Sequence, residues 1–443
     1  MDANKSLQRQ NGNPYEIKKL KYVVSTPITD GPHETPELLD EGIPFLSAES
    51  VKNGILDFNF KRGYISLSDH KWFCQKIKPQ KNDIFIVKSG ATTGNCGIVT
   101  TDEEFSIWSP LALIRCDNIT VLQKFMYYHT LSYYFTHQVE QSWSYGTQQN
   151  IGMSVLGNLY VILPKPEEQK AIVVFLDSQC TKIDAVIEDI EKQIETLQKY
   201  KKSLITETVT KGLDRTVPMK DSGIVWIGKV PEHWEFKRLK FMLENSTDSI
   251  KVGPFGSALS GSDFTDEGKW VYNQRVVLDK NFSENTTFIS EEKYREMRGF
   301  SVYPGDILIT TRGTIGKVAI VPEGAQEGIL HPCIIKFRVD KEMMMPELLQ
   351  LIFNDSDFVK DQFTLMSNAT TIEVIYSYSL KDIILPVIPA DEQQRIYDYL
   401  SEKCAAIDSV LAQKRKQLNT IQQHKKSLIY EYVTGKKRVT EVN

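Results

Sequence analysis

The chain has 443 residues, 41% hydrophobic and 25% charged, a globular balance that excludes wholesale disorder and at this length points to two or more domains. A net charge of −4 leaves no basic excess, and residues 1–166 balance 16 Lys and Arg against 16 Asp and Glu, so nucleic acid would have to be met by a local basic patch or beside partners that supply charge. No apolar run approaches the roughly 18 residues of a membrane helix, residues 1–13 lack an apolar signal core, and six cysteines without a CxxC pair fit free thiols in a reducing cytoplasm.

Residues 1–166 read as a first mixed α+β domain. Strand-like runs DIFIV (83–87) and PLALIRC (110–116) stand beside a helical pattern, VLQKFMYYHTLSYYFTHQVEQ (121–141). Polar loops carrying glycine or small residues punctuate them: DGPH (30–33), LSAES (46–50), VKSGATTG (87–94) and SYGTQQN (144–150). LPKPEEQ (163–169) then opens a long helix placed at 167–214, because a proline followed by carboxylates suits the positive end of a helix dipole. Ile183, Ile187, Ile190, Ile194, Leu197 and Leu204 recur at spacings of four and three. That is a coiled-coil seam on a helix of about 40 residues, about 60 Å long.

The stretch 211–234 is rich in glycine, proline and turn dipeptides, and the linker proper is placed at 215–234, with Trp226 and Trp234 as packing anchors. A second α+β domain spans 235–389, with strand-like DILIT (306–310) and CIIKFRV (333–339) and the helical pattern MPELLQLIFNDSDFVKDQFTLM (345–366). Its loops are GPFGSALSG (253–261), YNQRV (272–276), TTRGTIG (310–316) and SNATT (367–371). IPADEQQ (388–394) opens a second long helix, 390–436, with seam residues Ile407, Leu411, Leu418, Ile421 and Leu428.

The second half repeats the first. Residues 168–205 and 392–429, offset by 224, share 17 of 38 positions, among them Cys180 with Cys404 and a common KKSLI. EIKKLKY (16–22) matches EFKRLKF (235–241), NDIFIVKSGATTGNCGIV (82–99) matches GDILITTRGTIGKVAIV (305–321), and YVILP (160–164) matches DIILP (382–386). Equal length, repeat position and seam pattern predict that the two helices pack on each other, antiparallel. Lys201 and Lys425 interrupt the two seams at equivalent positions, and Lys414 interrupts the second where the first has Ile190. Polar seam residues of this kind fix register or partner.

Asn, Gln, Ser, Thr, Arg and Lys on glycine-bearing loops are the groups that hydrogen-bond base edges and phosphates. The candidate DNA contacts are His33, Ser47, Lys88, Ser89, Thr147, Gln148, Asn273, Arg275, Thr311, Arg312 and Thr314. No catalytic constellation accompanies them. GTIGK (313–317) has two residues between its glycines and valine after lysine, whereas a phosphate loop needs four residues and then Ser or Thr. NPY (13–15) lacks the second proline of the amino-methyltransferase tetrapeptide, and neither a histidine pair with metal-ligand spacing nor a Gly-x-Ser-x-Gly elbow is present.

The chain resembles the specificity subunits of type I restriction-modification systems over nearly its whole length. The resemblance is carried by the two ILP approaches to a Glu-Gln pair (162–172 and 384–396), by the helices ending KKSLI-x-E-x-VT (201–210 and 425–434), and by SGIVWIGKVPEHW (222–234). GPFGSALSGSDF (253–264) and GTQQNI (146–151) support it. It implies an α+β fold with two target-recognition domains and two long conserved helices paired as an antiparallel coiled coil that acts as a ruler between half-sites. It implies binding of double-stranded DNA, docking of two methyltransferase subunits through helix residues such as Ile183, Ile187, Ile194, Leu197, Ile407, Leu411, Leu418 and Ile421, and, in the restricting complex, translocase/endonuclease subunits. It also implies a cytoplasmic protein with no membrane contact, no catalysis and no cofactor of its own, since S-adenosylmethionine, ATP and Mg belong to partner subunits. SNATT departs from the GTQQN of the first half, which questions whether that loop plays one part in both domains. Two other classes of function remain open to the residues alone: a protein-interaction scaffold, which the acidic pI favours, and a self-contained DNA-modifying enzyme, which the missing motifs disfavour.

Overall fold

The structure, a computed structural model, describes residues 15–145, 149–224, 226–255, 258–367 and 374–439. The chain divides into two units, one of them made of two separate stretches: Met1–Glu191 with Lys416–Asn443, and Lys192–Arg415. Each unit therefore holds one α+β domain and one half of each long helix.

In the first unit the central strands are Ile84–Val87 and Leu111–Ile114, antiparallel with Leu111 opposite Val87. All eight residues are buried, so the strands read as continuous apolar runs and their alternation separates two cores. Ile84, Ile86, Ala112 and Ile114 meet Met126, Phe135 and Val139 from the helices Gln123–Leu131 and Tyr133–Gln141. Phe85, Val87, Leu111 and Leu113 meet Leu46, Phe105 and Ile107 on the other face. The sheet continues outward through Thr29–Asp30 on one side and through Cys96–Ile98, Ile55–Leu56 and Val51–Lys52 on the other.

The second unit repeats the plan around Ile307–Thr310 and Ile334–Phe337, with Ile307 opposite Phe337. Ile307, Ile309, Ile335 and Phe337 face one core, and Leu308 and Ile334 the other. Each domain begins and ends in a two-stranded ribbon, Glu16–Lys19 with Tyr160–Leu163 and Glu235–Arg238 with Ile384–Val387. Trp234 is fully buried in the second core and its indole N–H donates to Glu392 at 3.0 Å, while Trp226 meets the Phe358 ring edge-on at 5.2 Å, so both tryptophans of the linker are packing anchors.

The long helices run Pro166–Lys211 (46 residues) and Ala390–Val433 (44 residues), each with two carboxylates in its first turn. Within the first unit Phe175 packs on Tyr432 (centroids 4.4 Å apart) and Asp184 pairs with Lys425 at 2.6 Å, so one helix number rises as the other falls. Within the second unit Lys201 pairs with Asp408 at 2.8 Å, and Ile205 and Val209 share a core with Ile396, Leu400 and Cys404. Both half-pairs are antiparallel, as expected. Of the seam residues, Ile190, Ile407 and Leu411 are buried, and Ile183, Ile187, Ile194, Leu197, Leu204, Leu418, Ile421 and Leu428 are half-buried. Lys201 and Lys425, the two seam lysines at equivalent positions, pair with equivalent carboxylates, because Asp184 and Asp408 stand 224 apart just as the lysines do.

The same offset runs through polar groups inside the domains. Gln169 is buried; its side-chain carbonyl accepts from the Leu122 N–H, and its amide donates to the carbonyls of Thr120 and Pro164, all at 2.9 Å. Gln393 does the same with the Met345 N–H and the carbonyls of Met343 and Ile388. Gln138 brackets Tyr160, accepting from its N–H and donating to its carbonyl, and Gln362 brackets Ile384 in the same way.

One buried polar contact is not repeated. His129 is fully buried and its Nε2 accepts from the Ile162 N–H at 3.1 Å. The equivalent positions in the second unit are Phe353 and Pro386, and proline has no N–H to satisfy. Burial pushes the His129 imidazole down to about 3. Below the ordinary imidazole value of 6.5 the unfolded chain takes up a proton that the folded domain refuses, so stability falls as pH drops from 6.5 toward 3. His129→Phe should remove a slope of about 1.4 kcal/mol per pH unit across that window. At pH 7 it should cost about 1–3 kcal/mol, because the Ile162 N–H loses its acceptor. Calorimetry of the full chain between pH 4 and 7 checks both, and an unchanged acid slope would show that another group controls it.

Candidate nucleic-acid interface

In each unit a Gly-Pro loop, a tight turn, a strand corner and a fourth segment are stitched together through backbone hydrogen bonds. In the first unit Gly31 donates to the Leu111 carbonyl (3.2 Å) and Ser109 donates to that of Pro32 (3.1 Å). Lys88 donates to the Pro110 carbonyl and Ile151 to that of Lys88, both at 2.8 Å. In the second unit Gly253 donates to Ile334 (2.9 Å), Thr311 to Cys333 (3.0 Å) and Ile375 to Thr311 (2.9 Å). Glycine is required where the loop crosses the turn. A Cβ on Gly31 would lie 2.6 Å from the Ile107 carbonyl oxygen, and one on Gly253 would lie 2.1 Å from that of His331. At the corners Ser89 bridges Asn150 and Arg312 bridges Val374. Asn150, the last residue of GTQQN, and Val374, beyond SNATT, are 224 apart, so the two corners are bridged at matching positions. Thr147 and Gln148, like 368–373, lie outside the described residues.

The first unit gathers charge at this frame. Asp30, at the end of its strand, takes Lys76 on one carboxylate oxygen (2.7 Å) and Lys88 (2.8 Å) and His33 (3.1 Å) on the other. Burial raises the Asp30 carboxyl, but the hydrogen bonds from the two lysines outweigh it and hold it below its usual value. One carboxylate thus faces two ammonium groups, leaving local positive charge on a chain that is acidic overall. Lys88 is tucked against Asp30 with 14% of its side chain exposed, whereas His33 projects at 68%. At the turn the Arg62 guanidinium lies 4.3 Å above the Trp108 ring and pairs with Glu49 at 3.7 Å.

The second unit presents different groups on the same frame. Arg312 and Thr314 are exposed on the corner, and Arg312 has no ion pair or side-chain hydrogen bond among the described residues. The Gln274 amide reaches the Thr314 carbonyl at 3.4 Å, bringing the short helix Gln274–Asp279 to the corner. Arg275, on that helix, is 73% exposed and pairs with Asp279.

Three predicted residues serve the backbone. Ser47 is buried and closes a turn with Ser50. Asn273 caps the helix after it by accepting from the N–H groups of Arg275 and Val276, and buried Thr311 donates its hydroxyl to the Cys333 carbonyl at 2.9 Å. Sequence reading missed Asp30, Lys76 and Gln274. Asp30 was hidden because its equivalent is Val252, although the repeated Gly-Pro at 31–32 and 253–254 was there to align.

Taken together, the fold and the loops define a duplicated recognition protein: two α+β domains carrying one loop frame with unlike side chains, combined with an antiparallel pair of long helices. The model of the type I restriction modification DNA specificity domain matches residues 16–196 and 231–420, and the chain belongs to that family of specificity subunits. It is 25% identical over 418 residues to the type I restriction enzyme MjaVIII specificity subunit of Methanocaldococcus jannaschii, covering 92% of this chain and 89% of that one. It is 22% identical over 324 residues to the EcoBI specificity subunit of Escherichia coli, covering 70% and 65%. A solved chain from a study of complex assembly and conformational transition in the type I R-M system shares the fold at a TM-score of 0.64 and 14% identity, covering 96% of this chain and 98% of that chain. Among the described residues no helix is long and apolar enough to cross a membrane.

Replacing Asn273 by alanine should cost about 1 kcal/mol of stability through the lost cap, whereas Arg312→Ala should cost under about 0.5 kcal/mol because the side chain is exposed and has no partner among the described residues. Denaturant titration of the full chain separates the two, and equal losses would put Arg312 among the structural residues.

Proposed function

We propose that this chain reads a bipartite double-stranded DNA target, one half-site per domain, and holds two methyltransferase subunits on its long helices without performing chemistry itself. In this reading S-adenosylmethionine is bound by the methyltransferase subunits, ATP and Mg by translocase/endonuclease subunits, and the assembly works in the cytoplasm. The observation that carries it is the repeated frame with exchanged side chains: Ser89 and His33 in one unit stand where Arg312 and Phe255 stand in the other. A shared backbone with unlike readers is what two different half-sites require, because base edges are distinguished by donor and acceptor pattern. The two ammonium groups at Asp30 supply the sequence-independent attraction to phosphate.

The test is modification-sensitive sequencing of DNA from cells that make this chain with its methyltransferase subunit. A two-part methylated motif that depends on this chain is expected. A stable complex with no motif would favour a protein scaffold instead. Arg312→Ala should relax one half-site alone, by about 1–3 kcal/mol of discrimination if the guanidinium contacts a base; equal weakening at both half-sites would remove Arg312 from the readers. Deleting seven residues of the first long helix should change the gap between half-sites or abolish assembly, and an unchanged gap would end the ruler role of the helices.

A further inference from the structure

We infer that Phe255 is an apolar base contact of the second domain and a specificity-determining residue for its half-site; the inference rests on the DNA-reading function proposed above and assigns a residue within it. Phe255 is 85% exposed, more than any other large hydrophobic side chain among the described residues. A single exposed apolar residue needs no explanation in general. This one differs because its backbone is held on both sides while its ring is left uncovered. On one side Gly253 is fastened to Ile334 and lies too close to the His331 carbonyl to carry a side chain. On the other, the Phe255 carbonyl accepts from the N–H groups of Ala258 (2.8 Å) and Leu259 (3.3 Å), and Leu259 is buried in a core with Val271 and Ile329. The backbone is tied at Gly253 and at the Phe255 carbonyl, so little order at that residue remains to be lost when a ligand covers the ring.

Its place in the frame points to the ligand. The Gly253 turn and the Arg312 corner both dock on the segment 331–334, so Phe255 and the exposed Arg312 belong to one loop cluster. The equivalent residue of the first domain, His33, also projects from the loop, but there the preceding Asp30 gathers lysines, whereas here that position is Val252, itself 41% exposed. One backbone thus offers a hydrogen-bonding tip beside a charged cluster in the first domain and an apolar tip in the second. A phenyl ring donates no hydrogen bond, and the features of DNA it can recognise are a thymine methyl group in the major groove or an opened base step.

The test uses the full chain assembled with its methyltransferase subunits, as wild type, Phe255→Ala and Phe255→Leu. The motif is read by modification-sensitive sequencing, and affinity for a duplex bearing the wild-type motif by fluorescence anisotropy. Phe255→Ala should bind that duplex about tenfold more weakly, as for loss of one base contact, and should accept other bases at one position of one half-site while the second half-site stays fixed. Phe255→Leu, which keeps apolar bulk, should retain most of the affinity. An unchanged motif and affinity in Phe255→Ala would overturn the inference. So would loss of assembly with the methyltransferase subunits, which would reassign the ring to a protein contact. Absence of any motif with the wild-type chain would instead strike the DNA-reading function, so the two failures can be told apart.

Discussion

Each long helix of this protein is fastened to its own domain by one buried carboxamide, and the rest of the arrangement follows from that attachment. Gln169 and Gln393 sit in the first turn of their helices with hydrogen bonds to three backbone groups, two of them in a loop about 50 residues earlier in the chain. A buried amide with every partner in place is rigid, because any rotation would leave an unpaired polar group in a dry environment. The helix therefore leaves the domain in a fixed direction, and its apolar stripe is presented where the other helix can cover it.

What covers it is set by charge as well as by apolar pattern. Lys201 would be costly in a half-buried seam without a counter-ion, and it finds Asp408, with Asp355 of the second domain at 3.1 Å. Lys425 finds Asp184. Exposed ion pairs contribute little to stability, so the greater value of these pairs is in register. A shift of one helix along the other would strand each lysine beside apolar neighbours.

The loop frame combines constraint with freedom in a similar way. Hydrogen bonds between main-chain groups, and two glycines lying under carbonyl oxygens, fix its shape without using side chains from the loop tips. Tip residues can then differ without disturbing the fold, which is why His33 and Phe255, or Ser89 and Arg312, occupy matching places. Residues that do serve the frame, such as Ser47, Asn273 and Thr311, have their polar atoms engaged already and are poorly placed to meet a ligand.

By itself the sequence determined the duplication, the α+β class, the two long helices and their seams, because periodicity and repeat identity are local properties that survive in the linear order. Gln169 with Gln393 was visible as a repeat, but not what the pair holds. Only the tertiary structure decided which loop residues face outward. Ser47 and Arg312 look equally polar in the sequence, and one is buried while the other is exposed, since burial depends on segments far away in the chain. The Asp30 cluster joins residues 30, 33, 76 and 88, and the exchange of His129 with Ile162 for Phe353 with Pro386 links positions 33 apart. No periodicity marks such pairs, because they meet only through the register of the folded sheet.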